Sequence, residues 1–245
     1  MLRTAVVIAG GRGERLKPLT DDRPKAMVPV GGRPLIGWVL DWLRSEGIAR
    51  VVIGIAWRGD RIVEFVERGG APGLEVRFSE HTLEGGTAEG FRLAIERHVD
   101  DEDFVAMNCD EITNLSLARL EEVHRRARPL VTMALAPFHC RFSVVDLAAD
   151  GRITGFKYGR LLPQVPVSTG IYIFNSAIRP RLPARGSIED LLFAPLASEG
   201  RLAGCMLGTG EEWISVNDAK NIREAEETLR RFGRLGSATG GERPR

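Results

Sequence analysis

Apolar, β-branched segments alternate with amphipathic helical segments through the first half of the chain. That alternation predicts an α/β fold, a mostly parallel sheet with helices on both faces. Two further observations refine the prediction. The first apolar segment runs straight into a Gly-rich loop, and after about residue 128 the alternation gives way to hairpin patterning, which adds a small α+β portion in the second half. The 245 residues suit one large domain over 1–232.

The elements follow in order. Residues 3–9, RTAVVIA, read as a buried strand ending at Gly10-Gly11. Residues 11–33 are polar and punctuated by Gly and Pro. Over 34–46 the apolar residues Leu35, Ile36, Val39, Leu40 and Leu43 keep helical spacing, with Pro34 in the first turn and Gly47 at the stop. Strands are expected at 51–56, 74–79 and 104–108, with helices around 59–69 and 87–98 between them. A helix near 115–127 closes this half. A strand at 130–137 then precedes an alternating stretch, 143–158, folded about Ala149-Asp150-Gly151. A further strand at 168–175 and helices at 187–198 and 218–232 complete the pattern. The last residues, 233–245, lack apolar periodicity and read as a disordered tail.

Composition excludes several classes of function. With 34 basic and 33 acidic side chains the net charge is +1, which argues against a nucleic-acid partner. No apolar run approaches the roughly 18 residues of a membrane span, and the N-terminus lacks a leader pattern, so a cytoplasmic protein with no membrane partner is expected. Three widely spaced cysteines suggest neither a disulfide framework nor a zinc site. The charge is nevertheless uneven. Residues 11–34 hold six basic side chains against three acidic ones, and Lys25 is one of only four lysines.

Ala9 to Pro34, AGGRGERLKPLTDDRPKAMVPVGGRP, is the segment richest in chemistry. Gly10, Gly11 and Gly13 present backbone N–H groups with no Cβ in the way, an arrangement suited to a phosphate chain. Arg12, Arg15 and Lys25 add charge, and Arg matches phosphate in bidentate fashion. Glycine-rich turns are common after strands, and this one is neither a Walker A loop nor a GxGxxG. Arg12 and Lys17 also read as solvated surface charges.

The full string GGxGxRLxPLT followed by PKxMxPVxxxPLI resembles the signature of the sugar-1-phosphate nucleotidylyltransferases. Gly86-Thr87-Ala88 resembles the family's LGTA element, Asn108-Cys109-Asp110 its NGD, and Ser168-Thr169-Gly170-Ile171-Tyr172 its NAGIY or NTGIY strand. The resemblance spans roughly residues 3 to 230. It implies a Rossmann-like fold with a nucleotide-binding half over about 1–128 and an acceptor-binding half over about 129–232. It also implies a Mg²⁺-dependent reaction in which an NTP and a sugar 1-phosphate give an NDP-sugar and pyrophosphate by in-line attack on the α-phosphate. The nucleophile is already anionic, so the site must supply alignment and charge neutralisation rather than a base.

Carried over by position, the resemblance makes Arg15 and Lys25 catalytic, Arg15 on the leaving pyrophosphate and Lys25 between the α-phosphate and the incoming phosphate. Ala9, Gly10, Gly11, Arg12, Gly13, Gly86, Thr87 and Ala88 would bind the nucleotide, and Asn108, Ser168, Thr169 and Gly170 the acceptor. Asp110 would ligate Mg²⁺. Val216-Asn217-Asp218 resembles the VNN element of some uridylyltransferases, which favours Asn217 as the second metal ligand, while Asp218 suits a helix N-cap. Three departures fall on the acceptor side. Cys109 replaces the glycine of NGD, Phe156-Lys157-Tyr158-Gly159-Arg160 stands where FxEKP is usual, and Ser168 replaces an Asn; Lys157 and Arg160 are candidate substitutes for the lost cation. Two alternatives stay open: a cytidylyltransferase using a non-sugar phosphomonoester such as phosphocholine, and a non-catalytic regulatory homologue that binds NDP-sugar. A homo-oligomer accords with either reading, and the nucleotide base is undetermined.

Overall fold

The computed structural model describes residues 2–235. The first strand, β1 (Thr4–Ile8), is buried at every position. A polar loop follows, containing a 3₁₀ turn at Lys25–Met27 and a two-residue ladder, β2 (Pro29–Val30) with β3 (Arg33–Pro34). Next come α1 (Leu35–Ser45), β4 (Arg50–Ile55), α2 (Asp60–Phe65), β5 (Glu75–Glu80), α3 (Gly86–His98), β6 (Asp103–Asn108), β7 (Glu111–Thr113) and α4 (Leu117–Ala127). The second half holds β8 (Val131–Leu147), β9 (Ile153–Asn175), α5 (Ala194–Ser198), β10 (Leu202–Met206), β11 (Trp213–Ser215) and α6 (Ala219–Arg231).

The main sheet has seven strands in the order β10-β8-β9-β6-β1-β4-β5. β5, β4, β1 and β6 run parallel, β9 is antiparallel to both β6 and β8, and β10 is parallel to β8. This is the expected mostly parallel α/β sheet. Alternation along β1 shows why helices must cover both faces. Ala5 and Val7 point into one core with residues of α1, α2 and α4, while Val6 and Ile8 point into another with α3 and α5. A third, smaller cluster packs α6 against Leu35, Trp38 and Ile112.

The chain passes from β1 to β4 and β5 on one side, then crosses back to β6 on the other. The switch point therefore lies between β1 and β6, and ligands bind outside the carboxyl ends of strands at such a point.

Three differences from the sequence reading have local causes. The expected helix over 59–69 stops at Phe65 and continues as a wider turn, because Gly69 adopts φ 88°. The pieces expected at 130–137, 143–158 and 168–175 join into one long hairpin, β8 with β9, closed at 148–152 where Gly151 takes φ 84°. Irregularities at Met133/Leu135, Pro137/Phe138 and Cys140/Ser143 interrupt the period-two pattern and conceal that continuity in the sequence. The short strands β7, β10 and β11 carry too few residues to show a period. As for the tail expected from residue 233, Leu235 packs on the α6 cluster, and 236–245 lie outside the described residues. Among the described residues no helix is long and apolar enough to cross a membrane.

Candidate active site

The Gly-rich loop leaves β1 at the switch point. The backbone N–H of Ala9 donates to Gly54 O at 2.7 Å, holding the loop's start against β4. Gly10 is required by close approach: a Cβ there would lie 2.5 Å from Nε2 of His81 and 2.8 Å from Cβ of Ala56. Gly11 faces open space. Gly13 has φ 72°, and Thr20 Oγ1 donates to its carbonyl at 2.9 Å. The Lys25 backbone N–H donates to Gly11 O at 3.2 Å, so the loop folds back and brings Lys25 beside its own start. Arg12 is exposed, its guanidinium 5.9 Å from the Trp57 ring. Lys17 pairs with Glu14 on the surface.

Lys25 Nζ donates to Asp110 Oδ2 and, at 2.8 Å, to Asn217 Oδ1. Arg15 donates to the same Asn217 oxygen at 2.8 Å. Residues 15, 25, 110 and 217, scattered over two hundred positions, thus form one polar cluster. Asp110 follows β6, whose Asn108 lies level with Ile8 of β1. Asn217 follows β11, which pairs antiparallel with β7 so that Ser215 faces Glu111. Val216 N–H donates to Asp110 O at 2.9 Å, and Ser215 Oγ accepts from Asn217 Nδ2 at 2.7 Å. Asp218 instead caps α6, accepting from Asn221 N–H at 2.9 Å, which leaves Asn217 as the residue turned toward Asp110.

Glu111 is buried behind Asp110. Burial first, and then the charge of Asp110, push its carboxyl well above the ordinary carboxylate range. Trp213 Nε1 donates to it at 2.7 Å and Ser215 Oγ at 3.2 Å. Burial likewise raises the Cys109 thiol far above its usual range, which keeps it protonated and unreactive.

Beyond the cluster a cleft of about 1240 Å³ runs along the hairpin, lined by Arg15, Asn217, Ser168, Lys157, Arg160 and Trp213 among others. Ser168, Thr169 and Gly170 form the bulge of β9 at its inner end. Gly170 has φ 75°, and a Cβ there would lie 2.8 Å from Glu111 Oε1 and 3.0 Å from Asn108 Nδ2. Ser168 Oγ reaches the Tyr172 hydroxyl at 3.3 Å, whereas Thr169 donates inward to Ala134 O at 2.9 Å. Arg160 pairs with Asp146 at 3.3 Å on the hairpin.

On the other side, Gly86 starts α3 with φ 62°, and a Cβ there would lie 2.7 Å from Gly186 O. Ala88 N–H donates to that oxygen at 3.0 Å, and Thr87 Oγ1 accepts from Ile188 N–H at 3.1 Å, so this segment is fastened to 186–188. His81 connects it to the Gly-rich loop: its ring would lie 2.5 Å from a Cβ at Gly10 and 3.3 Å from one at Gly90. Burial lowers its pKa, and its Nδ1 is buried without a partner.

A profile of the Nucleotidyl transferase family matches residues 4–231. The chain belongs to this family. Among curated relatives it is similar to an N-acetylmuramate alpha-1-phosphate uridylyltransferase of Neisseria meningitidis, 38% identical over 45% of this chain and 48% of the relative. It is also similar to a mannose-1-phosphate guanylyltransferase of Mycobacterium tuberculosis, 30% identical over 80% of this chain and 56% of the relative. The chain thus spans about half the length of these relatives. A crystal structure of HddC from Yersinia pseudotuberculosis shares the fold, with a TM-score of 0.74 at 21% identity, over 93% of this chain and all of that one.

Sequence reasoning missed His81, Trp57, Glu111, Trp213 and Ser215. The first two were findable, since each lies just past the carboxyl end of a strand of the parallel half. The last three depend on the β7–β11 pairing, which leaves no sequence signal.

Proposed function

We propose that this nucleotidyl transferase joins an NTP and a sugar 1-phosphate, giving an NDP-sugar and pyrophosphate. The observation that carries this reading is the cluster itself, in which Lys25 spans Asp110 and Asn217 while Arg15 contacts the same Asn217, all at the switch point. Such a site offers no general base aimed at a substrate hydroxyl. It offers fixed positive charge, which is what attack by a phosphate oxygen on an α-phosphorus requires. Lys25 would hold the α-phosphate against the incoming phosphate, and Arg15 would take the charge growing on the leaving pyrophosphate. Gly10, Gly11 and Gly13 would cradle the triphosphate, Ala9 and Arg12 would flank it, and Gly86 to Ala88 would border the base.

The donor set suits Mg²⁺. A carboxylate and an amide oxygen converge on one cationic atom, Lys25 Nζ, and both are hard oxygen donors. No group of three or more His, Cys, Asp or Glu side chains is poised for a metal among the described residues. A cation held by Asp110 and Asn217 would therefore complete its shell with phosphate and water. Bound there, it would neutralise the crowded phosphates.

On the acceptor side, Asn108, Ser168 and Gly170 border the sugar, and Thr169 secures their bulge. Lys157 and Arg160 line the cleft and supply the cations that FxEKP would otherwise provide. The relatives' names include both a uridylyl- and a guanylyltransferase, so the test pairs each common NTP with a panel of acceptors and follows pyrophosphate release with Mg²⁺. Turnover with a sugar 1-phosphate is the expected result. Turnover only with an amino-alcohol phosphate would move the acceptor to the phosphocholine class, and nucleotide binding without turnover would make the chain a regulatory homologue.

A further inference from the structure

Asn217 differs from Asp110 in that its side chain has two unlike ends. The amide oxygen accepts hydrogen bonds and the amide nitrogen donates them, in nearly the same shape, so the partner of one end decides where the other end points. Oδ1 accepts from Lys25 and from Arg15, each at 2.8 Å, and Nδ2 donates to Ser215 Oγ at 2.7 Å. In the proposed reaction Lys25 and Arg15 turn to the phosphates. Ser215 then still holds the amide by its far end.

Ser215 can do so because its own hydrogen is drawn the other way. A hydroxyl has one hydrogen and two lone pairs. Glu111 Oε1 lies 3.2 Å from Ser215 Oγ and Asp110 Oδ2 lies 3.4 Å from it, so a carboxyl oxygen takes the hydrogen on either side and a lone pair faces Asn217 Nδ2. The pairing of β11 with β7 sets Ser215 opposite Glu111, and the strand period of two puts Trp213 on the same face. Trp213 Nε1 donates to Glu111 Oε2 at 2.7 Å. The absent side chain of Gly170 leaves room for Glu111 Oε1, which would lie 2.8 Å from a Cβ there. Buried and bonded at both oxygens, Glu111 is a fixed post for the serine.

We infer that Ser215 is a positioning residue for the metal site: its hydroxyl, steadied by Glu111, keeps Asn217 Oδ1 turned toward Lys25 and Asp110. Without the hydroxyl the amide is free to rotate and present Nδ2, a donor with no affinity for a cation. Partners that orient a metal ligand from behind contribute about 10- to 100-fold in metal affinity. This role presupposes Asp110 and Asn217 as metal ligands, as the nucleotidyltransferase reading has them.

The test titrates the full chain with Mn²⁺, which takes the same oxygen ligands as Mg²⁺ and is followed by electron paramagnetic resonance. Wild type is compared with Ser215→Ala, Ser215→Thr, Asn217→Asp and the double variant Ser215→Ala/Asn217→Asp. Ser215→Ala is expected to weaken Mn²⁺ binding about tenfold. Ser215→Thr keeps the hydroxyl in a residue suited to a strand, and should bind as wild type does. In the Asn217→Asp background the Ser215→Ala change should weaken binding by about twofold at most, because a carboxylate presents oxygen at both ends. Equal weakening in the two backgrounds would make the serine merely structural and overturns the inference, as does unchanged Mn²⁺ binding in Ser215→Ala. Pyrophosphate release from NTP and sugar 1-phosphate is measured on the same proteins. Turnover by a wild type that binds no Mn²⁺ at millimolar concentration overturns the role of Ser215 and leaves the activity standing. The expected Mn²⁺ series with no turnover on any acceptor overturns the activity reading and leaves the role of Ser215 standing.

Discussion

Two phenylalanines of one strand, β9, have opposite surroundings. Phe174 is fully buried beside β6, its ring centre 5.7 to 6.1 Å from those of Phe91, Phe104, Tyr172 and Phe193. Phe156, on the hairpin beyond the sheet, is 71% exposed. The inner part of the strand has helices on both faces, whereas the outer part has only its β8 partner, so the same residue type packs in one place and faces solvent in the other. The difference teaches that the chain is a helix-covered sheet carrying a two-stranded arm, with the cluster of Lys25, Asp110 and Asn217 where they meet.

The largest expected effect is on the buried member of the pair. Phe174→Ala should lower the unfolding free energy by about 3–5 kcal/mol, measured by denaturant titration, because four aromatic neighbours cannot collapse into the void. A loss below 1 kcal/mol would mean that the inner sheet is no more rigid than the arm. Next comes the cluster. Lys25→Ala should cost about 2.7–4 kcal/mol of transition-state stabilisation, read as a 10²–10³ fall in kcat of the folded enzyme. Asp110→Asn should abolish Mg²⁺-dependent turnover, measured as pyrophosphate release, and unchanged activity would show that Asp110 holds no metal.

On the arm the expected effects are smaller and of a different kind. Lys157→Ala should raise the KM for the acceptor about tenfold and leave that for the NTP alone. An effect on both would deny the division of labour between sheet and arm. His81 is lowered by burial, so it is neutral in the fold and charges more readily in the unfolded chain. Stability should therefore be full above the unfolded-state pKa near 6.5 and decline as pH falls below it. Thermal melts of His81→Gln should show a shallower decline over that window. The smallest effect is expected for Phe156→Ala, within about 0.5 kcal/mol of wild type in the same denaturant titration as Phe174→Ala.

Much of this was legible beforehand because local chemistry dictated it. The buried run TAVVI, the spacing of Leu35 to Leu43 and the positive φ of Gly13 each state a requirement of the local chain. The hairpin was legible only in pieces, since bulges broke its period. The N-cap role of Asp218 was readable from its place before a helical pattern, whereas the turn of Asn217 toward Lys25 depends on a three-residue strand.

By itself, then, the sequence determined the α/β class, the Gly-rich loop after β1 and which charges were candidates, because helix and strand periods and glycine's freedom are properties of short segments. Tertiary structure decided which charges meet. Lys25, Asp110 and Asn217 come together because β1 and β6 are neighbours across the switch point and because β7 pairs with β11 about a hundred residues away. No local propensity encodes that pairing. It follows from the way two sheets and α6 close over one core, burying Leu35, Ile112 and Val216 together.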